Sequence, residues 1–295
     1  MSVRLGFLNR NQVFDSIKVY RDTVKIDPAA LPAPLVTLTG GETTYLDTTA
    51  PRGVLSYYLF EVRNGDDVEY SQPRPIVNID YSGPGPQEIL YGDWNQGYFG
   101  PVDSSLLFTG PELCNTLGVP GQNSAAVTWY KFAYKGKVLY FPSIALSTAV
   151  GWNLLYTKGL VFGINGDGPT GHSNPATNQW KTVVRGDDEF IVRLPRTNKT
   201  PGFAQGTSDD DSEYYQTVLQ LAGVYNIASA IQLGDVVFQS LANISPMAEF
   251  QSGALTQGCN HIVSGSMLIN VSNPLNCARS ATTYYWRPML EYIMR

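Results

Sequence analysis

The chain has 295 residues, room for two domains of ordinary size. Hydrophobic residues make up 43% and charged residues only 15%, so a sizeable core is available under a surface supplied largely by Asn, Gln, Ser, Thr and Tyr. A net charge of -5 with no Lys/Arg cluster excludes a nucleic-acid binder of the usual kind, because phosphate recognition needs clustered cations.

A weakly charged surface suits a protein packed against other subunits, where charges are costly to desolvate. Met1 to Phe7 contains no apolar signal region, so no secretory signal is expected. No apolar run reaches the length of a membrane span, so no membrane insertion is expected and synthesis is placed in a cytoplasm. Cys114, Cys259 and Cys277 lack CxxC spacing, and their odd number argues against a disulfide framework. Buried free thiols are expected, although Cys259 and Cys277 could meet if their strands pair.

In chain order, the first eighty or so residues read as short strands divided by turns. Ser16 to Arg21 alternates, with Ile17 and Val19 on one face and Lys18 and Tyr20 on the other. Asp27-Pro28 turns the chain, Pro32 and Pro34 forbid a central strand, and Leu35 to Leu38 is a short strand. Gly40-Gly41 precedes a strand at Thr43 to Asp47. Leu55 to Val62 and Val68 to Ser71 form a hairpin around Asn64-Gly65, whose positions tolerate positive φ. Tyr58, Phe60 and Val62 make its more apolar face, the one expected in the core. Pro73 and Pro75 lead into a last strand, Ile76 to Ile79, and six or seven strands at this spacing indicate a β-sandwich. The order Val19-Tyr20-Arg21, Leu31-Pro32, Tyr45-Leu46-Asp47-Thr48 and Tyr57-Tyr58-Leu59-Phe60-Glu61-Val62 resembles a fibronectin type III module. That resemblance implies an immunoglobulin-like sandwich over residues 1–82 and, by itself, no function.

Ser82-Gly83-Pro84-Gly85-Pro86 stops both helix and strand, so a Gly/Pro linker is expected over 83–88 and a second, larger α+β domain over 89–295. Pro111 to Leu117 reads as a short helix with Thr109 as N-cap and Gly118 as its stop. Thr128 to Tyr134 and Lys137 to Phe141 form a hairpin around Lys135-Gly136. Leu146 to Tyr156 is expected to be helical, capped by Ser147 or Thr148 and ended by Gly159. Phe190 to Leu194 is a strand. Asp211 to Leu221 reads as an amphipathic helix with Tyr214, Val218 and Leu221 on one face. Tyr284 to Ile293 is a closing apolar strand.

Trp129-Tyr130-Lys131-Phe132, Lys135-Gly136-Lys137, Trp152, Phe190 to Leu194, Ser212-Glu213-Tyr214 and the closing Trp286-Arg287-Pro288-Met289-Leu290-Glu291 resemble a domain of phage virion and tail proteins. The first-and-last-strand arrangement is also similar to C-type-lectin-like folds. The virion resemblance implies a bacteriophage particle component, made in the host cytoplasm and located in the virion. It does not imply a position in the particle.

Few residues suggest chemistry. His172 and His261 lie far apart and in no metal or nucleophile motif, and no Gly-x-Ser-x-Gly elbow is present. The acidic loops Asn165-Gly166-Asp167-Gly168 and Asp209-Asp210-Asp211 lack the spacing of a Ca²⁺ loop, and the second suits a helix N-terminus instead. Asp187, Asp188 and Glu189 single out no glycosidase pair. No catalytic residue, metal or cofactor is therefore expected. Eighteen Tyr and five Trp offer flat amphipathic surfaces. Tyr91, Trp94, Tyr98 and Phe99, in a Gly- and Asn-rich stretch, are the candidate contact surface, and the polar run Thr170 to Trp180 is a second candidate loop.

The leading expectation is a non-enzymatic tail, baseplate or collar protein that attaches subunits, with other virion proteins as partners and homo-oligomerisation. The alternatives are a host-receptor protein binding surface glycan, then a capsid decoration protein or a polysaccharide depolymerase.

Overall fold

The computed structural model describes residues 2–7, 14–168, 174–196, 212–220, 243–250, 256–262, 277–278 and 284–294. The chain divides into two compact units, Met1–Ser82 with Asp93–Asn95 and Met294–Arg295, and Gly83–Gly92 with Gln96–Ile293. The expected mainly-β class with a few short helices is the one adopted, on several antiparallel sheets.

The first unit contains β1 (Val3–Gly6), β2 (Ser16–Asp22), β3 (Val36–Leu38), β4 (Thr44–Asp47), β5 (Leu55–Asn64), β6 (Asp67–Tyr70) and β7 (Arg74–Val77). β1 pairs with β4, while β2 lies between β3 and β5, and β5 carries β6 and β7 on successive stretches. Strand alternation sends Ile17 and Val19 of β2 and Tyr58 and Phe60 of β5 into one core, shared with Val3 and Leu5 of β1. The opposite face of β5 is covered too. Leu59 is fully buried with Tyr20 and Ile26, beneath Leu31 and Tyr57, because the proline-interrupted segment between β2 and β3 folds over it. Asn64 pairs with Asp67 across the β5–β6 turn, where Gly65 takes φ 59, as its sequence suggested.

Two buried carboxylates brace this unit. Asp47 accepts from Arg21 Nη1 at 2.6 Å, Tyr58 Oη at 2.8 Å, and the Thr49 hydroxyl and N–H at 2.8 and 2.9 Å. Burial alone would raise its pKa, but these donors outweigh that and hold it below the ordinary Asp value. Glu61 is reached across the sheet by Lys18 at 2.8 Å and Tyr20 at 2.6 Å.

The second unit is organised by a seven-stranded antiparallel sheet. Its strands are β8 (Tyr91–Gly92), β9 (Gln96–Asp103), β10 (Thr128–Tyr134), β11 (Lys137–Pro142), β13 (Thr182–Arg185), β14 (Asp188–Arg193) and β19 (Met289–Tyr292). Their order is β13-β14-β19-β11-β10-β9-β8, so the first and last strands of this unit are not neighbours. β12 (Ser147–Val150) pairs separately with β18 (Tyr284–Trp286). β15 (Asn243–Phe250), β16 (Thr256–Ile262) and β17 (Cys277–Ala278) form a third sheet, which pairs the strands carrying Cys259 and Cys277 with Gln257 opposite Cys277. The β10–β11 hairpin turns through Lys135 and Gly136, both at positive φ, with Tyr134 opposite Lys137.

Two sequence expectations need correction. Residues expected as one helix from Leu146 to Tyr156 split into β12 and a short helix α2 (Trp152–Thr157), because Ser147 to Val150 pair with β18. The expected closing strand is also two strands, broken at Arg287-Pro288, where Pro cannot donate to a ladder. In addition, the Asp211–Leu221 helix is realised among the described residues as a π-helical turn, Tyr215–Leu219, with Tyr214 and Val218 buried as their spacing indicated. Leu221 and Asp209 to Asp211 lie outside the described residues.

Helix α1 (Gly110–Leu117) follows its sequence closely. Thr109 forms a capping box with Glu112, and Gly118 ends the helix in the left-handed region. Thr109→Ala is expected to cost about 1 kcal/mol, measurable by urea denaturation, with Thr109→Ser restoring most of it. No loss in the Ala variant would mean that packing alone sets this helix start.

The Gly/Pro segment 83–86 belongs to the second unit and packs on its sheet. Buried Lys131 donates to Gly83 O at 3.1 Å and Pro86 O at 2.7 Å, and Tyr140 Oη donates to Pro84 O at 2.9 Å. Glycine is required at 83, where a Cβ would meet Tyr140 Oη at 2.6 Å and φ is +85. Burial pushes the Lys131 amine down to about 7, against the opposing pull of Asp188. The folded value lies below the ordinary 10.5, so above pH 7 the unfolded chain holds the extra proton and stability rises with pH. Between pH 7 and pH 9 a gain of about 2 kcal/mol is expected, and Lys131→Met should abolish it. An unchanged slope in that variant would show that the amine does not titrate in this window.

Candidate interaction surface

β13 forms one end of the seven-stranded sheet. Its hairpin to β14 turns through Gly186 and Asp187, with Arg185 opposite Asp188 and Val183 opposite Phe190. Val192 N–H donates to Lys181 O at 2.8 Å, so residues 181, 183 and 185 direct their main-chain groups toward β14. Antiparallel alternation turns those of Thr182 and Val184 the other way, where they have no hydrogen-bond partner among the described residues. Side chains alternate as well: Val183 is buried, whereas Val184 is 58% and Trp180 45% exposed. Sheet edges are usually blunted by charge, proline or cover. Here two large apolar side chains stand at an open one.

The surface is built on fixed supports. Arg185 donates to Ser105 O at 3.0 Å, pairs with Glu112 at 3.3 Å, and lies over the Phe108 ring at 5.9 Å. The Thr109 N–H, then the Thr109 hydroxyl and Arg185, hold the Glu112 carboxyl below the usual range against partial burial. Leu106, beside Ser105, is 51% exposed. Before β13, fully buried Gln179 donates to Tyr156 O at 3.0 Å and accepts from Val161 N–H at 3.1 Å. Trp180 N–H donates to Asn178 Oδ1 at 2.8 Å, and the Asn178 amide donates to Asn165 Oδ1 at 2.8 Å. The exposed indole thus projects from an anchored strand entry.

Only part of the candidate surface drawn from sequence is exposed. Tyr91, on the opposite sheet edge, is exposed beside exposed Leu90. Trp94 is half-buried, and Asp93–Asn95 group with the first unit. Tyr98 and Phe99 are fully buried and cannot belong to a surface patch. The cause is a bulge in β9: Tyr98 opposes Phe132 and Gly100 opposes Lys131, leaving Phe99 as the extra residue. Tyr98 packs on the Phe132 ring at 5.4 Å, and Lys131 Nζ lies 4.7 Å from the Phe99 ring centre.

The remaining polar candidates disperse. His172 and the start of the Thr170–Trp180 loop, 170–173, lie outside the described residues, and His261 lies in β16. Asp187 occupies the β13–β14 turn, and Asp188 and Glu189 open β14. In the Asn165–Gly168 loop, Asp167 O accepts from Tyr156 Oη at 2.8 Å. Among the described residues no group of three or more His, Cys, Asp or Glu could hold a metal ion, and no helix is long and apolar enough to cross a membrane. Cys114, on the buried face of α1, has its thiol pushed up to about 12 by burial.

Sequence reasoning named Trp180 only as the end of a contact loop and missed Val184. The available signal was the alternation Trp180, Thr182, Val184 ahead of the Gly186-Asp187 turn. The chain matches no family model, and no curated protein or solved structure matches it.

Proposed function

We propose that this chain is a non-enzymatic structural component of a bacteriophage particle, in the tail, baseplate or collar, that attaches subunits to one another. The observation that carries the attachment role is the open edge of β13, with Trp180 and Val184 exposed and the outward main-chain groups of Thr182 and Val184 unpaired among the described residues. Such an edge is a template for strand addition from another chain. The particle setting rests on the sequence resemblance, and especially on Trp286 to Glu291. Those residues supply most of β19, an interior strand of the large sheet between β14 and β11, and fully buried Trp286.

The first unit reads as a fibronectin type III-like module. The β1–β4 and β2–β5–β6 pairings correspond to the B–E and C–F–G pairings of immunoglobulin-like sandwiches, with β3 in the place of an added strand beside C.

Immunogold microscopy of intact phage particles tests this reading. Label at a fixed position on the particle is expected, and unlabelled particles would reject it. A second reading, recognition of host-surface glycan, is favoured by exposed Trp180 standing beside the amides of Asn178 and Asn165. Glycan-array binding lost in Trp180→Ala would support it, and a silent array would reject it.

A further inference from the structure

We infer that the partner of β13 is the β13 strand of a second copy, paired antiparallel about a two-fold axis at Val184. The inference rests on the proposed attachment role of this edge and names its occupant.

Backbone geometry restricts the possible registers. Within β13 only Thr182 and Val184 turn their main-chain groups outward, since 181, 183 and 185 face β14 and Gly186 begins the turn. The main-chain N–H of Trp180 is already committed to Asn178 Oδ1, which disfavours a register extending back beyond Lys181. A two-fold at Val183 would set Lys181 against Arg185 of the other copy, twice, which is repulsive. A two-fold at Val184 instead brings Lys181 alongside the β13–β14 turn of the other copy, which carries Asp187, twice, with Lys181 and Asp187 both exposed. It also makes Val184 a hydrogen-bonded pair with itself and brings Thr182 beside the turn that begins at Gly186.

Shape agrees with charge. A Cβ at Gly186 would meet nothing within 4 Å, so the turn is open above that residue. Trp180 lies diagonal to it across the axis, within the reach of cross-strand aromatic neighbours. Val184 packs on its own symmetry mate, and each indole covers the bare turn of the other copy. The interface is isologous, and the two seven-stranded sheets become continuous.

The test combines sedimentation velocity of the full chain with site-specific cross-linking. A concentration-dependent dimer is expected. Lys181→Asp should weaken it several-fold, and the double change Lys181→Asp with Asp187→Lys should restore it. Hydrogen-bonded antiparallel pairs place Cα atoms about 5.5 Å apart, within disulfide range. Val184→Cys should therefore link two copies through position 184 under mild oxidation, as mapped by peptide mass spectrometry. Thr182→Cys lies on the same open edge, but its two copies stand roughly 13 Å apart in this register and should not link. A chain that stays monomeric at all concentrations, a dimer indifferent to the charge exchange, or equal linking at 182 and 184 would overturn the pairing. A dimer with this signature in a chain missing from phage particles would overturn the particle reading alone.

Discussion

Arg193→Met is expected to destabilise the second unit by about 3–5 kcal/mol, the usual cost of removing one partner from a buried ion cluster. Arg193 is fully buried in β14 and donates to both carboxylate oxygens of Glu213 at 2.7 and 2.5 Å. Its Nε and Nη2 donate to Glu291 Oε2 at 3.0 and 2.9 Å, while Lys137 donates to the other Glu291 oxygen at 2.6 Å. Methionine keeps the stem but strands the Glu213 carboxylate, which is 4% exposed. Glu291 keeps Lys137, whose side chain is 43% exposed. The loss should therefore concentrate at the Tyr215–Leu219 turn, which Glu213 ties to the sheet, and appear as lost hydrogen-exchange protection there.

Acid should narrow the gap between the two proteins. Burial would raise the Glu291 pKa, but Arg193 and Lys137 outweigh it and bring the carboxyl to about 2. A folded value below the unfolded one contributes stability that is complete above about 4.5 and is lost as pH falls toward 2. The variant lacks most of that contribution, so urea denaturation at pH 7 and pH 3 should show a smaller difference at the lower pH. Adding Glu213→Leu to Arg193→Met should recover part of the loss, because apolar packing replaces a stranded charge. A difference under 1 kcal/mol at pH 7 would contradict the buried cluster.

Asp47→Ala is the counterpart in the first unit, with an expected loss of about 3 kcal/mol. Asp47 joins β4 to β2 through Arg21 and to β5 through Tyr58, and Asp47 and Tyr58 are both fully buried. Alanine leaves the Tyr58 hydroxyl without its acceptor and Arg21 without its counter-charge. Tyr58→Phe removes only one donor and should cost about 1 kcal/mol. Amide exchange in β2, β4 and β5 during denaturation reports on this unit directly. Equal losses for the two variants would show that Asp47 is not the hub. The Asp47 pKa lies below the ordinary 3.8, so its contribution is present above that value and fades below it.

Much of this architecture is local and was legible in the sequence. The Thr109–Glu112 capping box, Gly118, and the turns at Asn64-Gly65 and Lys135-Gly136 need only φ preferences and hydrogen bonds between near neighbours. The alternation of Ile17 with Val19 and of Tyr58 with Phe60 marks a core face, because a strand has a period of two residues. The mainly-β class follows from the same period, and the burial of Tyr214 and Val218 from their helical i,i+4 spacing.

Other features depend on residues distant in sequence, and only the tertiary structure decided them. Ser147 to Val150 become a strand because Tyr284 to Trp286 pair with them, a partner more than 130 positions away. Tyr98 and Phe99 look like an exposed aromatic pair, yet a bulge against Lys131 and Phe132 buries both. Glu213 and Glu291 carry no sequence sign of a shared arginine; the sheet brings them together. The open edge at Val184 has the same origin: alternation shows which side chains share a face, but strand order determines which strand is last.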